Sequence, residues 1–371
     1  MVGAGPAGST TARYTAMRGL TTVCVDKRKE IGIPVQCGEF MASNEEVRAL
    51  FPKAQELESL YALPEELKEA RTNVIRIFSP SLRAYDVPFE GYTVCRDRVD
   101  KHWASMAERE GAEIITDCVV QRVRGMEIST SRGLLKGRVI VGADGPFSLV
   151  ARSVGLHAPE HLAAAITCDV EGEFGDVLEI HFGSQAPGGY AWVIPKNGTA
   201  NVGLGVWHRY RGNLRDLLEV FLKKKGFVTD SWTGGWVPEL GPVSRTVEKN
   251  VLLVGDAAGH VMPTNGGGIN LAMLCARIAG NVIAGHIQEG LSIQEYERRW
   301  RAVAGEQLKI SVRIKKLADG FFPTDFWLEY AMRLLGRRRM ERAIRCQRIW
   351  PSLKALGRRT RAYSPGDMAD S

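Results

Sequence analysis

The chain lacks any run of about 18 apolar residues, the least that spans a bilayer as a helix. Its N-terminus has neither a basic n-region nor an apolar core, so no secretory leader is expected. Cysteine is scarce and scattered: Cys24, Cys37, Cys95, Cys118, Cys168, Cys275 and Cys346 are odd in number and never spaced C-x-x-C. That pattern argues for a reducing compartment, the cytoplasm, and against a structural zinc or a cysteine-ligated cluster, so no metal is expected. Acid is nearly absent from one region. Between Arg333 and Arg361 stand eleven Lys/Arg residues and a single acid, Glu341, giving +10; a net charge of +7 for the chain leaves −3 for the remainder. The basic character therefore belongs to a tail. It reads either as a solvated helical face or as a contact with an anionic membrane surface at the inner leaflet, and no nucleic-acid partner is expected. Otherwise the composition, 44% hydrophobic and 25% charged over 371 residues, is that of a globular protein long enough for two domains.

A first strand is also missing where one is wanted. "MVGAGPAGST" carries G-x-G-x-x-G at Gly3, Gly5 and Gly8, a pattern that normally follows a buried strand, yet only Met1 and Val2 precede it. In such a turn the first glycine permits the bend, the second lets backbone approach a pyrophosphate, and the third allows close helix packing. The following "PAGSTTARYTAMRG" suits a helix, and "LTTVCVDKR" a buried strand ending in Asp26, where a ribose hydroxyl would be held. Turn, helix, strand and acid agree. A genuine nucleotide-binding turn with a shortened first strand is expected, leaving neighbouring strand edges unpaired.

Two further strand-ends carry an acid. "RVIVGAD" ends at Asp144, and "VLLVGDAAGHVMPTNGGGINLAM" has Asp256 followed by small residues and the cluster Gly266, Gly267, Gly268 before a helix starting near Ile269. An acid there suits a sugar-alcohol hydroxyl, with helix N–H groups reaching a polar ring edge. Each Asp alone could equally be a helix N-cap. "APGGYAWVIPKNGTANVGLGV" places Tyr190 and Trp192 on one strand face between Pro187 and Pro195, with a second strand pairing behind. By periodicity alone those aromatics could be core.

The three fingerprints, in this order, resemble the FAD-binding domain of the para-hydroxybenzoate hydroxylase-like flavoproteins. That resemblance implies an α/β (α+β) fold: a Rossmann-like FAD-binding domain, an antiparallel-sheet substrate domain and a helical C-terminal segment. The expected division is 1–73, 96–155 and 245–290 for FAD, 74–95 and 156–244 for substrate, and 291–371 for the basic helices. It implies that Gly3, Gly5, Ala7 and Gly8 cradle the pyrophosphate, Asp26 the ribose and Asp256 the ribitol. "YTVCRDRVDKHW" matches the family's R-x-x-φ-D helix start, which implies Arg96 near the FAD and Val120, on the strand after Gly111, beside the adenine. A surface ion pair is the alternative for Arg96. No second G-x-G-x-x-G has a strand before it, so a separate NAD(P)H domain is not expected.

"YAWVIP" then resembles the P-x-x-Y-x-W-x-F-P motif of the geranylgeranyl reductase family, with Ile194 where that family has Phe, and "PVQCGEF" resembles its C-G segment. The implied function is reduction of isolated C=C bonds in geranylgeranyl chains of membrane-lipid precursors, with FAD as cofactor and ferredoxin or NAD(P)H as electron donor. Cys37, Tyr190 and Trp192 would be catalytic, and Tyr190, Trp192 and Pro195 would contact substrate. Cys37, Gly38, Phe40, Gly267, Gly268 and Ile269 would lie along the flavin. A lone cysteine is otherwise a small buried hydrophobe. An aromatic monooxygenase or halogenase, or a non-catalytic prenyl-lipid carrier, are the competing functions.

Overall fold

The structure, a computed structural model, describes residues 1–349. Its N-terminal part is a parallel sheet. Thr22–Val25 pairs with Ala112–Ile115, and Ile140–Gly142 pairs with Val251–Leu253, which turns antiparallel to Val247–Glu248. The first-strand position between these halves is held by Met1–Gly3. Val2 donates to the Val141 carbonyl at 2.9 Å and accepts from Ala143 N, while Gly3 N donates to Val25 O and Val25 N to Met1 O. The neighbouring edges are thus paired there, contrary to expectation, because two peptide units suffice to bridge both.

Helix Pro6–Ala16 starts at once, with Pro at its first turn, where the missing N–H costs nothing. It packs on helix Ile269–Glu289 at Gly280, where a Cβ would stand 2.6 Å from Tyr14 Cβ. Arg96–Arg109 covers the same helix from another side. Val120 does not lie on the strand directly after Gly111, which is Ala112–Ile115. It opens the next one, Val120–Arg124, the first of a three-stranded meander.

The second layer is an eight-stranded sheet in the order Thr233–Pro238, Leu162–Glu171, Thr199–Val206, Tyr190–Pro195, Val177–His181, Lys68–Phe78, Ala84–Val94, Phe40–Ala42. All neighbours are antiparallel except Val177–His181 against Lys68–Phe78. Lys68–Phe78 crosses the expected domain boundary at 73/74, and Phe40–Ala42 joins this sheet from within the first segment. The glycines of "NVGLG" make room for aromatics. Tyr190 faces Gly205 and Trp192 faces Gly203, where a Cβ would meet the Trp192 ring at 2.5 Å.

Helices Glu295–Ala318 and Asp325–Ile344 follow, the second broken at Gly336 (φ 62°, ψ 173°). The described part of the basic run is not a detachable tail. Met332 and Met340 are buried, and the Arg345 guanidinium forks onto the Glu46 carboxylate at 2.6 and 2.8 Å and reaches the Pro88 carbonyl. Lys354, Arg358, Arg359 and Arg361 lie outside the described residues. No helix among the described residues is long and apolar enough to cross a membrane.

Candidate active site

A cavity of about 1030 Å³ lies between the two sheets. Gly3, Gly5, Ala7, Asp26, Arg96, Val120, Asp256, Gly267, Gly268 and Ile269 line one end, with Cys37, Gly38, Phe40, Tyr190 and Trp192. Two expected residues do not reach it. Gly8 sits beneath the turn, where a Cβ would stand 1.7 Å from the Gly3 carbonyl oxygen, so it serves packing. Pro195 ends its strand buried behind the aromatics, its carbonyl accepting from Thr93 Oγ1 at 2.9 Å.

The turn is shaped by sterics. Gly3 (φ +95°) is pressed against Ala143 O, whereas a Cβ on Gly5 would meet nothing within 4 Å. The open space over Gly5, at the N-terminus of a helix without a capping side chain, suits an anion close to backbone N–H groups. Asp26 ties strand to turn, accepting from Ala4 N at 2.7 Å and Arg28 N at 2.8 Å. Asp144 lines the cavity but is spent on the start of helix Leu149–Ser153, accepting from Leu149 N, Val150 N and the hydroxyl of the N-cap Ser148. Asp256 differs. Its carboxylate faces the cavity and accepts no hydrogen bond among the described residues; burial pushes it up to about 6, with the Arg96 cation opposing that rise. A partner that donates a hydroxyl is what it lacks. Open turn, helix N-terminus and unpaired carboxylate together fit a flat, sugar-bearing dinucleotide.

Arg96 is both an ion pair and a cavity residue: it forks onto the buried Asp100 at 2.8 Å, and the Cys37 thiol lies beside it. Cys37 Sγ accepts from Glu39 N at 3.2 Å. A Cβ on Gly38 would stand 2.9 Å from Ile194 Cδ1, so a side chain there would have to displace that methyl. The Phe40 ring fills the space over Gly91. Tyr190 and Trp192 meet edge to face at 6.0 Å, and the Tyr190 hydroxyl donates to Asn265 O at 2.5 Å. Burial drives that phenol up to about 12, so it stays protonated.

Several supporting residues were not apparent from the sequence. Lys196 reaches Glu39 at 2.7 Å and Asp169 at 3.3 Å, and Glu39 also accepts from Arg96 N at 2.8 Å. Burial raises the Glu39 carboxyl, with Lys196 opposing the rise. Asn201 joins Trp192 to Cys37. Beyond the aromatics the cavity continues as an apolar arm between Ile75, Ile77, Phe89 and the inner faces of Leu328, Met332 and Met340. Lys196 directly follows the strand motif, and the others carry no local signature.

Fold and cavity define a flavoprotein-type α/β oxidoreductase. A flavin-dependent brominase superposes with TM-score 0.72 over 97% of each chain at 16% identity, a likeness of fold alone. Residues 162–232 match the model of the geranylgeranyl reductase catalytic domain. The chain is 34% identical over 346 residues to digeranylgeranylglycerophospholipid reductase 2 of Methanothermobacter thermautotrophicus, covering 86% of this chain and 87% of that one. It is 33% identical over 352 residues to digeranylgeranylglycerophospholipid reductase of Methanocaldococcus jannaschii, covering 86% of both. A geranylgeranyl bacteriochlorophyll reductase-like protein from Thermoplasma acidophilum superposes with TM-score 0.79 at 26% identity, over 96% of this chain and 94% of that one. The chain belongs to the digeranylgeranylglycerophospholipid reductase family.

Proposed function

We propose that the protein is a FAD-dependent reductase that saturates isolated double bonds of geranylgeranyl chains in membrane-lipid precursors. The observation that carries this reading is that one cavity of about 1030 Å³ is lined both by Gly5, Asp26 and Asp256 and by the apolar Ile75, Ile77, Phe89, Leu328, Met332 and Met340. Gly5 would hold the pyrophosphate of FAD, Asp26 its ribose and Asp256 its ribitol, and the reduced cofactor would supply the hydride. An isolated alkene is not polarised, so the remaining work is positioning, exclusion of water and delivery of one proton. Tyr190 and Trp192 supply large rigid walls for the reacting bond. The Tyr190 proton is committed to Asn265 O and held by burial. Cys37 is the better placed donor, since its thiol lines the cavity beside the Arg96 guanidinium on the loop held by Asn201.

The segments 96–155 and 245–290 with most of 1–73 form the flavin part and 74–95 with 156–244 the substrate part, and Phe40–Ala42 and Lys68–Phe78 pair into the substrate sheet. The test is anaerobic turnover of a geranylgeranylated glycerophospholipid with chemically reduced protein, followed by mass spectrometry. The expected product gains two hydrogens per double bond, and Cys37→Ala slows its formation without changing the ratio of flavin to protein absorbance. Flavin-replete protein that yields no saturated product would reject the reading, and colourless protein would instead indicate a lipid carrier.

A further inference from the structure

Helix Asp325–Ile344 has two apolar faces. Leu328 and Met332 turn inward onto the cavity, while Phe326, Trp327, Tyr330 and Leu334 point outward with 73%, 54%, 57% and 61% of their surfaces exposed. The outward aromatics form a connected cluster, Phe326 to Trp327 at 5.3 Å and Trp327 to Tyr330 at 6.3 Å, both edge to face. Four large apolar side chains in one exposed patch are not accounted for by packing within the described residues. Trp and Tyr are the residues that favour the headgroup level of a bilayer. Immediately beyond, the break at Gly336 presents Arg337 and Arg338 to solvent. Arg337 stands near Asp86, but Asp86 is already engaged by Arg76 at 2.7 and 2.8 Å. Of the acids on this face, Glu329 pairs with Arg333 at 2.7 Å and accepts from Ser81 N, while Asp325 is exposed at the helix start, so Arg337 and Arg338 leave the face net positive.

We propose that the outer face of Asp325–Ile344, with Arg337 and Arg338, docks on an anionic phospholipid bilayer surface. The aromatics enter the interface, the arginines meet lipid phosphate, and the same helix carries the wall through which a lipid chain gains the cavity. Charge complementarity favours a membrane over a second copy, because a two-fold contact here would set four arginines against one another. The inference rests on the lipid-substrate reading only for its purpose. Docking is measured without turnover, so the two fail separately.

The test uses the full chain in cosedimentation with vesicles of phosphatidylcholine alone or mixed with phosphatidylglycerol. Binding is expected to the anionic vesicles and to weaken as salt rises. The triple variant Phe326→Ser, Trp327→Ser, Tyr330→Ser should lose at least about tenfold in affinity. Arg337→Gln and Arg338→Gln should each lose about fivefold. Flavin absorbance and melting temperature of each variant report that it is folded. Should the triple variant not fold, quenching by brominated lipid serves instead: the wild type is quenched and Trp327→Phe loses that component. Equal binding by a folded triple variant, or equal quenching in Trp327→Phe, overturns the proposal. So does a failure to bind anionic vesicles accompanied by dimerisation that the triple variant abolishes.

Discussion

The Trp192 indole donates to Asn201 Oδ1 at 2.8 Å, and through its Nδ2 the same amide reaches the Cys37 carbonyl at 3.3 Å. One buried side chain therefore spaces the aromatic wall from the loop that carries the thiol. Thr167 donates to the same Oδ1 at 2.7 Å, which orients the amide. Asn201→Leu keeps the volume and removes every one of these bonds. An unsatisfied buried indole costs about 1–3 kcal/mol, so turnover should fall about tenfold while flavin occupancy holds. Single-turnover rates and flavin absorbance on the same sample check this; an unchanged rate would show that Trp192 is positioned by packing alone.

Lys196 and Glu39 are 7% and 2% exposed and lie 2.7 Å apart. Removing one charge strands the other. Lys196→Met is expected to destabilise by about 3–5 kcal/mol, and the added Glu39→Gln to recover most of that loss. Denaturant unfolding of the single and double variants measures it. A double variant as unstable as Lys196→Met would mean that Asp169, or the aliphatic stem of the lysine, matters more than the pair.

Asp256 gives a pH signature. Its carboxyl rises from 3.8 to about 6 on folding, so the folded state binds the proton more tightly than the unfolded one. The resulting penalty is complete above pH 6 and vanishes below about pH 4, and two units correspond to no more than about 3 kcal/mol. In flavin-free protein Asp256→Asn should raise the melting temperature at pH 7.5, with the gain shrinking toward pH 4. The same variant should hold less flavin. A pH-independent gain would place its origin elsewhere than in the carboxyl.

Gly5 and Gly8 should fail differently. Gly8→Ala drives a Cβ into the Gly3 carbonyl and should cost about 3 kcal/mol or more. Gly5→Ala has open space, so it should melt normally yet purify with a reduced flavin-to-protein ratio. Normal flavin content in Gly5→Ala would contradict a pyrophosphate over that residue.

The glycine turn, the acid at Asp256 and the aromatic pair were legible because each depends on local chemistry. A positive φ, a strand-end carboxylate before small residues and a period of two are all written within a dozen positions. Asp144 was equally visible, but whether it caps a helix or meets a ligand depends on where Leu149 and Val150 point their N–H groups. Val120 lies one strand later than expected because the break between Ile115 and Val120 turns on Asp117 alone (φ 50°), a brief polar signal within an apolar run.

The apolar arm was hidden for a different reason. In Asp325–Ile344 the break at Gly336 resets the helical phase, so Leu328 and Met332 share no single stripe with Met340 and Ile344, and the arginines between them dominate the composition. The pairs Lys196–Glu39, Asn201–Cys37 and Arg345–Glu46 join positions 157, 164 and 299 residues apart. Side chains so distant leave no periodic mark on each other. Backbone conformation and the type of ligand chemistry follow from neighbours along the chain. The depth of the cavity, its far wall and the partners that hold its charged groups follow from burial, which arises only when both sheets and the last helices close on one another.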